Sequence, residues 1–199
     1  MMKRLSILCG VVLAGTLLLA SGCAPAPKEA TVSAPASVER GKYLVRAMGC
    51  GDCHSPKQMG PQGPVEVESR LLSGHPEGTQ LPPPPAPSGP WIASASGDQT
   101  AWAGPWGVSF ATNLTPDENT GIGSWSEETF VKALKTGRHM GVGRPILPPM
   151  PWTAMRHLSD EDLRAIYAYL RTIPAVHNRV PEPAPPAAPA APSPEGHPS

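Results

Sequence analysis

The chain has no excess of charge. Its 16 Lys and Arg stand against 16 Asp and Glu, and charged residues fill only 16% of its 199 positions. That balance argues against nucleic acid or an anionic surface as the main partner. No Gly-rich phosphate loop sits between a strand pattern and a helix pattern, which argues against a nucleotide-binding βαβ unit. No nucleophile–base pair stands out. Aromatic residues are scarce at 5%, and no stretch shows the apolar–polar alternation of a half-buried strand. Cysteine is sparse too, with 4 in all and none after Cys53. Proline is what the chain has in excess, at 28 residues. Ordinary usage is about 5%, so much of the chain is excluded from helix interiors and central strands.

The N-terminus accounts for part of this composition. Lys3 and Arg4 precede an apolar run from Leu5 to Ala20, followed by Ser21-Gly22-Cys23. A short basic region, a short apolar stretch and small residues form an export signal, the run being short for a membrane span. Small residues directly before a cysteine resemble the bacterial lipoprotein signal, although Ala20 stands where that family usually has Leu. The resemblance implies lipidation of Cys23 and an extracytoplasmic, membrane-anchored protein, stable anchoring needing more than one acyl chain. Ordinary secretory cleavage nearby and an uncleaved anchor are the alternatives.

The organisation expected is a signal over 1–22, an Ala/Pro linker over 23–36, one domain over 37–180, and a Pro/Ala-rich disordered tail over 181–199. Eight of the prolines lie in that tail. Three helices can be placed in the domain. Ser37 can cap the first, through Met48, with Val38, Leu44, Val45 and Met48 on one face. Ser126 opens the second, which Gly137 stops. Ser159 caps the third, where Asp160, Glu161 and Asp162 complement the helix dipole and Leu163, Ile166, Tyr167 and Leu170 form the apolar stripe. Residues 55–125 and 138–157 follow neither period. Loops of that length need something else to wrap, which points to a large cofactor.

Cys50-Gly51-Asp52-Cys53-His54 supplies the attachment signature. Two thiols three positions apart reach two vinyl groups on one edge of a porphyrin, and the adjacent imidazole becomes the proximal iron ligand. A zinc site would want a second Cys/His pair downstream, and a thioredoxin-like pair a βαβ context; both are missing. The cysteine count closes without a disulfide: Cys9 leaves with the signal, Cys23 takes lipid, and Cys50 and Cys53 take haem c. For the distal position the candidates are Met59, Met140, Met150, Met155, His75, His139 and His157. Met150 stands out because Pro148, Pro149 and Pro151 stiffen the segment around it.

The motif, the helix before it, Thr112-Asn113-Leu114-Thr115-Pro116-Asp117, Thr120-Gly121-Ile122-Gly123 with Trp125, Met150-Pro151-Trp152 and the helix from Asp160 to Leu170 together resemble a class I c-type cytochrome. The nearer likeness is to cytochrome modules that accompany periplasmic alcohol and aldehyde dehydrogenases. It covers about 38–178. It implies an all-α fold of three main helices around one haem, Met150 as distal ligand, and the Gly41–Val45 face packed on Ile166, Tyr167 and Leu170. Two departures are evident: one C-x-x-C-H where dehydrogenase subunits often have several, and a longer Pro- and Trp-rich stretch over 74–107.

The function this implies is single-electron transfer between extracytoplasmic redox proteins, such as a dehydrogenase, a terminal oxidase or another cytochrome, and not catalysis. Two alternatives stay open: an obligate subunit of a dehydrogenase complex docking through 74–107, and a haem enzyme or sensor with an open distal site. Lys57, Arg70, Lys132, Lys135 and Arg138 could rim a docking face or be solvated charges. Trp125 and Asn113 could serve haem propionates, the Met-bearing loop or simply a turn.

Overall fold

The computed structural model describes residues 34–85 and 89–186. The export signal, Cys23 and most of the expected linker lie outside these residues. Helix α1 spans Ala34–Ala47 and α2 Cys50–His54. The hairpin β1 (Lys57–Gly60) and β2 (Gly63–Glu66) follows, then a small sheet of β3 (Ser94–Ala95), β4 (Ala101–Gly104) and β5 (Gly107–Phe110). Helices α3 (Glu127–Thr136), α4 (Trp152–Met155) and α5 (Asp160–Leu170) complete the order.

Helices α3 and α5 stand where periodicity and capping residues place them, and α1 where its periodicity does. Ser126 Oγ accepts from Thr129 N–H at the start of α3, and Gly137 ends it in the left-handed region at φ 67°. Ser159 Oγ accepts from Asp162 N–H at the start of α5. Helix α1 begins three residues before the expected cap Ser37. Pro35 does not oppose this, because the N–H it lacks has no intrahelical partner in a first turn.

The all-α expectation needs correction: among the described residues, five short antiparallel strands accompany the helices. None exceeds four residues, and β4 and β5 are rich in Gly and Ala, so the alternation that reveals longer strands has no room to develop. β3, β4 and β5 lie side by side, with Ala101 opposite Phe110 and Gly104 opposite Gly107. Residues 181–186 of the expected tail are among those described. Ala184 exchanges two 2.9 Å backbone hydrogen bonds with Val108, which holds the chain along β5 as far as the described residues reach.

The core lies where α1, α3 and α5 meet, around Leu44, Val45, Phe130, Leu163, Ile166 and Leu170. Helices α1 and α5 approach closely at Gly41, where a Cβ would stand 1.9 Å from the Ala165 carbonyl oxygen. This is the pairing that the resemblance implies. Between the helices and the small sheet the packing opens into a cavity.

Candidate haem-attachment site

Cys50, Cys53 and His54 all lie on the single turn and a half of α2, and all three line that cavity. Gly49 precedes them at φ 66°, a left-handed turn that lets α2 start afresh after α1. Lys57 then returns its ammonium to the end of α2, donating to the carbonyls of Gly51 and Ser55, each at 3.3 Å, and to that of Asp52. A cation on the last carbonyls of a helix is stabilising.

His54 is 7% exposed, and its ring is oriented by the Thr112 carbonyl, which accepts from Nδ1 at 2.7 Å. That bond puts the proton on Nδ1 and leaves the Nε2 lone pair available to a metal. Burial lowers the His54 pKa, and the bond to Thr112 opposes this only in part, so the imidazole is held neutral, as a ligand must be. Burial likewise pushes the Cys50 thiol up to about 11 and raises that of Cys53. A dithiol used for redox exchange has a depressed pKa, so these thiols lack the electrostatics of a thioredoxin-like pair.

The cavity measures about 640 Å³. Its walls include Val45, Phe130, Leu134, Ile166 and Leu170, so it is largely apolar, and its size is that of a cofactor site. Two thiols, one neutral imidazole and an apolar slot fit a covalently attached haem c: Cys50 and Cys53 would hold the porphyrin edge and His54 the iron.

Of the seven candidates for the distal position, Met140, Met150, Met155 and His139 line the cavity. Met59 is 78% exposed on β1, and neither it nor His75 lines the cavity. His157 does not line the cavity either. Among the four that do, Met140 is 46% exposed and has φ 52°, Met155 is an integral part of the helical core, and His139 stands edge-on to Trp125 at 5.2 Å. Met150 is half-buried against the core, after a cis Pro148–Pro149 peptide. Its segment is anchored on both sides. Ile146 N–H donates to the Gly137 carbonyl at 2.8 Å, and the Trp152 indole lies over Gly137, 2.5 Å from where a Cβ would be.

Asn113 is 3% exposed and uses its amide within the protein: Oδ1 accepts from Thr115 N–H at 2.9 Å and Nδ2 donates to the Val176 carbonyl at 2.8 Å. Those bonds hold the turn. Asn113 and Trp125 both line the cavity. The cations considered for a docking face are partly engaged elsewhere: Arg70 donates to Asn178 at 2.7 Å, and Lys135 to the Leu158 carbonyl at 2.7 Å. Sequence reasoning missed the roles of Thr112, Trp102 and Ser109 and the segment from Arg179 to Pro183, all on the cavity wall. Thr112 acts through its backbone carbonyl, which no side-chain pattern reports.

Comparison with known proteins agrees with the geometry. Residues 38–174 match the family model described as Cytochrome c. The chain is 34% identical, over 67% of its length, to the gluconate 2-dehydrogenase cytochrome c subunit of Pantoea cypripedii, covering 22% of that protein. It is 32% identical, over 81% of its length, to the fructose dehydrogenase cytochrome subunit of Gluconobacter japonicus, covering 26% of that protein. It is 33% identical, over 70% of its length, to the cytochrome c subunit of the quinone alcohol dehydrogenase of Gluconobacter oxydans, covering 24%. The chain thus spans about a quarter of the length of these relatives.

Proposed function

The chain belongs to the cytochrome c family, whose cofactor is haem c, and from that premise we propose that it carries single electrons between redox proteins outside the cytoplasm. Cys50 and Cys53 would hold the porphyrin, and His54 and Met150 would ligate the iron. When bound, the haem supplies one-electron iron chemistry, at a potential that methionine ligation raises. The protein's own part is to orient His54 through the Thr112 carbonyl, exclude water with the apolar wall, and present Met150 to the cavity. With His54 and Met150 both given to the iron, no position would remain for oxygen or peroxide, and that favours electron transfer over the enzyme or sensor alternative.

The single observation that carries this reading is the convergence of Cys50, Cys53, His54 and Met150 on one apolar cavity. The partner class is a dehydrogenase that delivers electrons. In its favour, similar proteins are named as cytochrome subunits of gluconate, fructose and alcohol dehydrogenases. The division into signal 1–22, linker 23–36, domain 37–180 and tail from 181 is part of the proposal, with lipid on Cys23 holding the protein at a membrane. Among the described residues no helix is long and apolar enough to cross one. In the test, wild-type protein made in a host that assembles c-type cytochromes stains for haem on a denaturing gel, and a Cys50→Ala/Cys53→Ala variant does not. Staining that persists in the double variant contradicts the attachment site.

A further inference from the structure

We propose that Ser109, delivered by the small sheet, is a positioning residue that braces the Met150 segment on the distal side of the cavity. The inference rests on Met150 being the distal ligand, as argued above. Ser109 lies on β5 and is 8% exposed. Its hydroxyl has one proton to give, and two carbonyls are within reach: Pro148 at 2.6 Å and Trp102 at 3.4 Å. The shorter contact takes the proton. A lone pair of the same oxygen accepts from the Trp106 indole N–H at 3.2 Å.

Two features fix Ser109 itself. The Trp106 ring folds back over Gly104, where a Cβ would lie 2.5 Å from the ring, so the turn between β4 and β5 seats the indole against its own strand. On the other side, Val108 exchanges its two backbone hydrogen bonds with Ala184. Pro148 and Pro149 have no N–H, so the backbone here can only accept. Among the described residues the Ser109–Pro148 bond is the hydrogen bond that reaches residues 147–149. It therefore bridges the gap between the Ile146 and Trp152 anchors, two residues from Met150. The long stretch before Gly107 thereby acquires a role within this chain: it leads the β-sheet to the distal wall, with Trp102 lining the cavity beside Ser109.

The test uses the full haem-loaded protein in its ferric state, titrated with free imidazole, which competes with Met150 for the iron. Released from its brace, the segment yields more readily. Ser109→Ala is expected to raise the apparent imidazole affinity roughly 2- to 10-fold, the worth of one net hydrogen bond. Ser109→Thr, which keeps the hydroxyl, stays near the parent. Trp106→Phe, which removes the donor to Ser109 and keeps an aromatic ring, gives a smaller, roughly twofold, rise and decides the matter if Ser109→Ala fails to fold. Met150→Ala serves as the reference. If it abolishes the weak red-end band of sulfur–iron ligation while the Ser109 and Trp106 variants bind imidazole as the parent does, the brace is overturned and the ligand assignment stands. If the band survives in Met150→Ala, the ligand assignment itself is wrong and the brace falls with it.

Discussion

Asn178 shows how much of this fold hangs on single buried side chains. Its Oδ1 accepts from Arg70 at 2.7 Å and from the Glu77 N–H at 2.8 Å, while Nδ2 donates to the carbonyls of Ser73 and His75 at 2.7 and 2.8 Å. It is fully buried, and it ties the chain after α5 to the loop that runs past His54, where Gly74 N–H donates to the His54 carbonyl at 2.7 Å. Asn178→Ala leaves several buried groups without partners, each costing about 1–3 kcal/mol, so a loss of about 3 kcal/mol or more is expected in chemical denaturation. A loss below about 1 kcal/mol would show that water replaces the amide freely. Asn178 lies in no periodic segment and no motif, so sequence alone could not distinguish it from a surface loop residue. Cys50, Cys53 and His54 were legible because their chemistry dictates their spacing. Met150 stood out among seven candidates because of the prolines around it, although spacing alone did not place it at the cavity.

Among the elements, the α1–α5 contact is the most exacting. Gly41→Ala improves helix propensity by about 1 kcal/mol. Against that, the new methyl group would sit 1.9 Å from a backbone oxygen of α5, which cannot swing aside as a side chain can. Overpacking of this kind costs about 1–3 kcal/mol, and here it wins because the Leu44, Val45, Ile166 and Leu170 contacts must open together. A lowered thermal midpoint is expected; an unchanged or raised one would show that the helices are not so close. The three long helices were legible because each combines an apolar stripe with a cap or a stop. The strands were not, since segments of two to four residues, half or more of them Gly, Ala or Ser, are too short to carry a period. Their importance lies in where they bring Trp102 and Ser109, a tertiary consequence that a local pattern does not report.

For the whole molecule, acid is expected to be destabilising through His75. Its ring is 1% exposed, Nδ1–H donates to Thr100 Oγ1, Thr100 in turn donates to Asp98 at 2.8 Å, and Nε2 is buried with no partner. Burial lowers its pKa, with Asp98 opposing the shift. In the unfolded chain the ring takes its proton near pH 6.5, in the folded chain only at lower pH. Between those points the unfolded state binds more protons, so stability falls as the pH drops below about 6.5. Denaturation midpoints measured from about pH 7.5 downward should decline, and less steeply in His75→Gln. Equal slopes in the two proteins would remove His75 as the cause.

The proposal as a whole stands on one haem with His54 and Met150 on its two faces, and the ferric absorption spectrum of the full protein tests it most directly. The expected result is a low-spin spectrum with the weak red-end sulfur–iron band, which Met150→Ala abolishes while the haem stays attached. High-spin iron in the untreated protein, or a band that survives Met150→Ala, would contradict it.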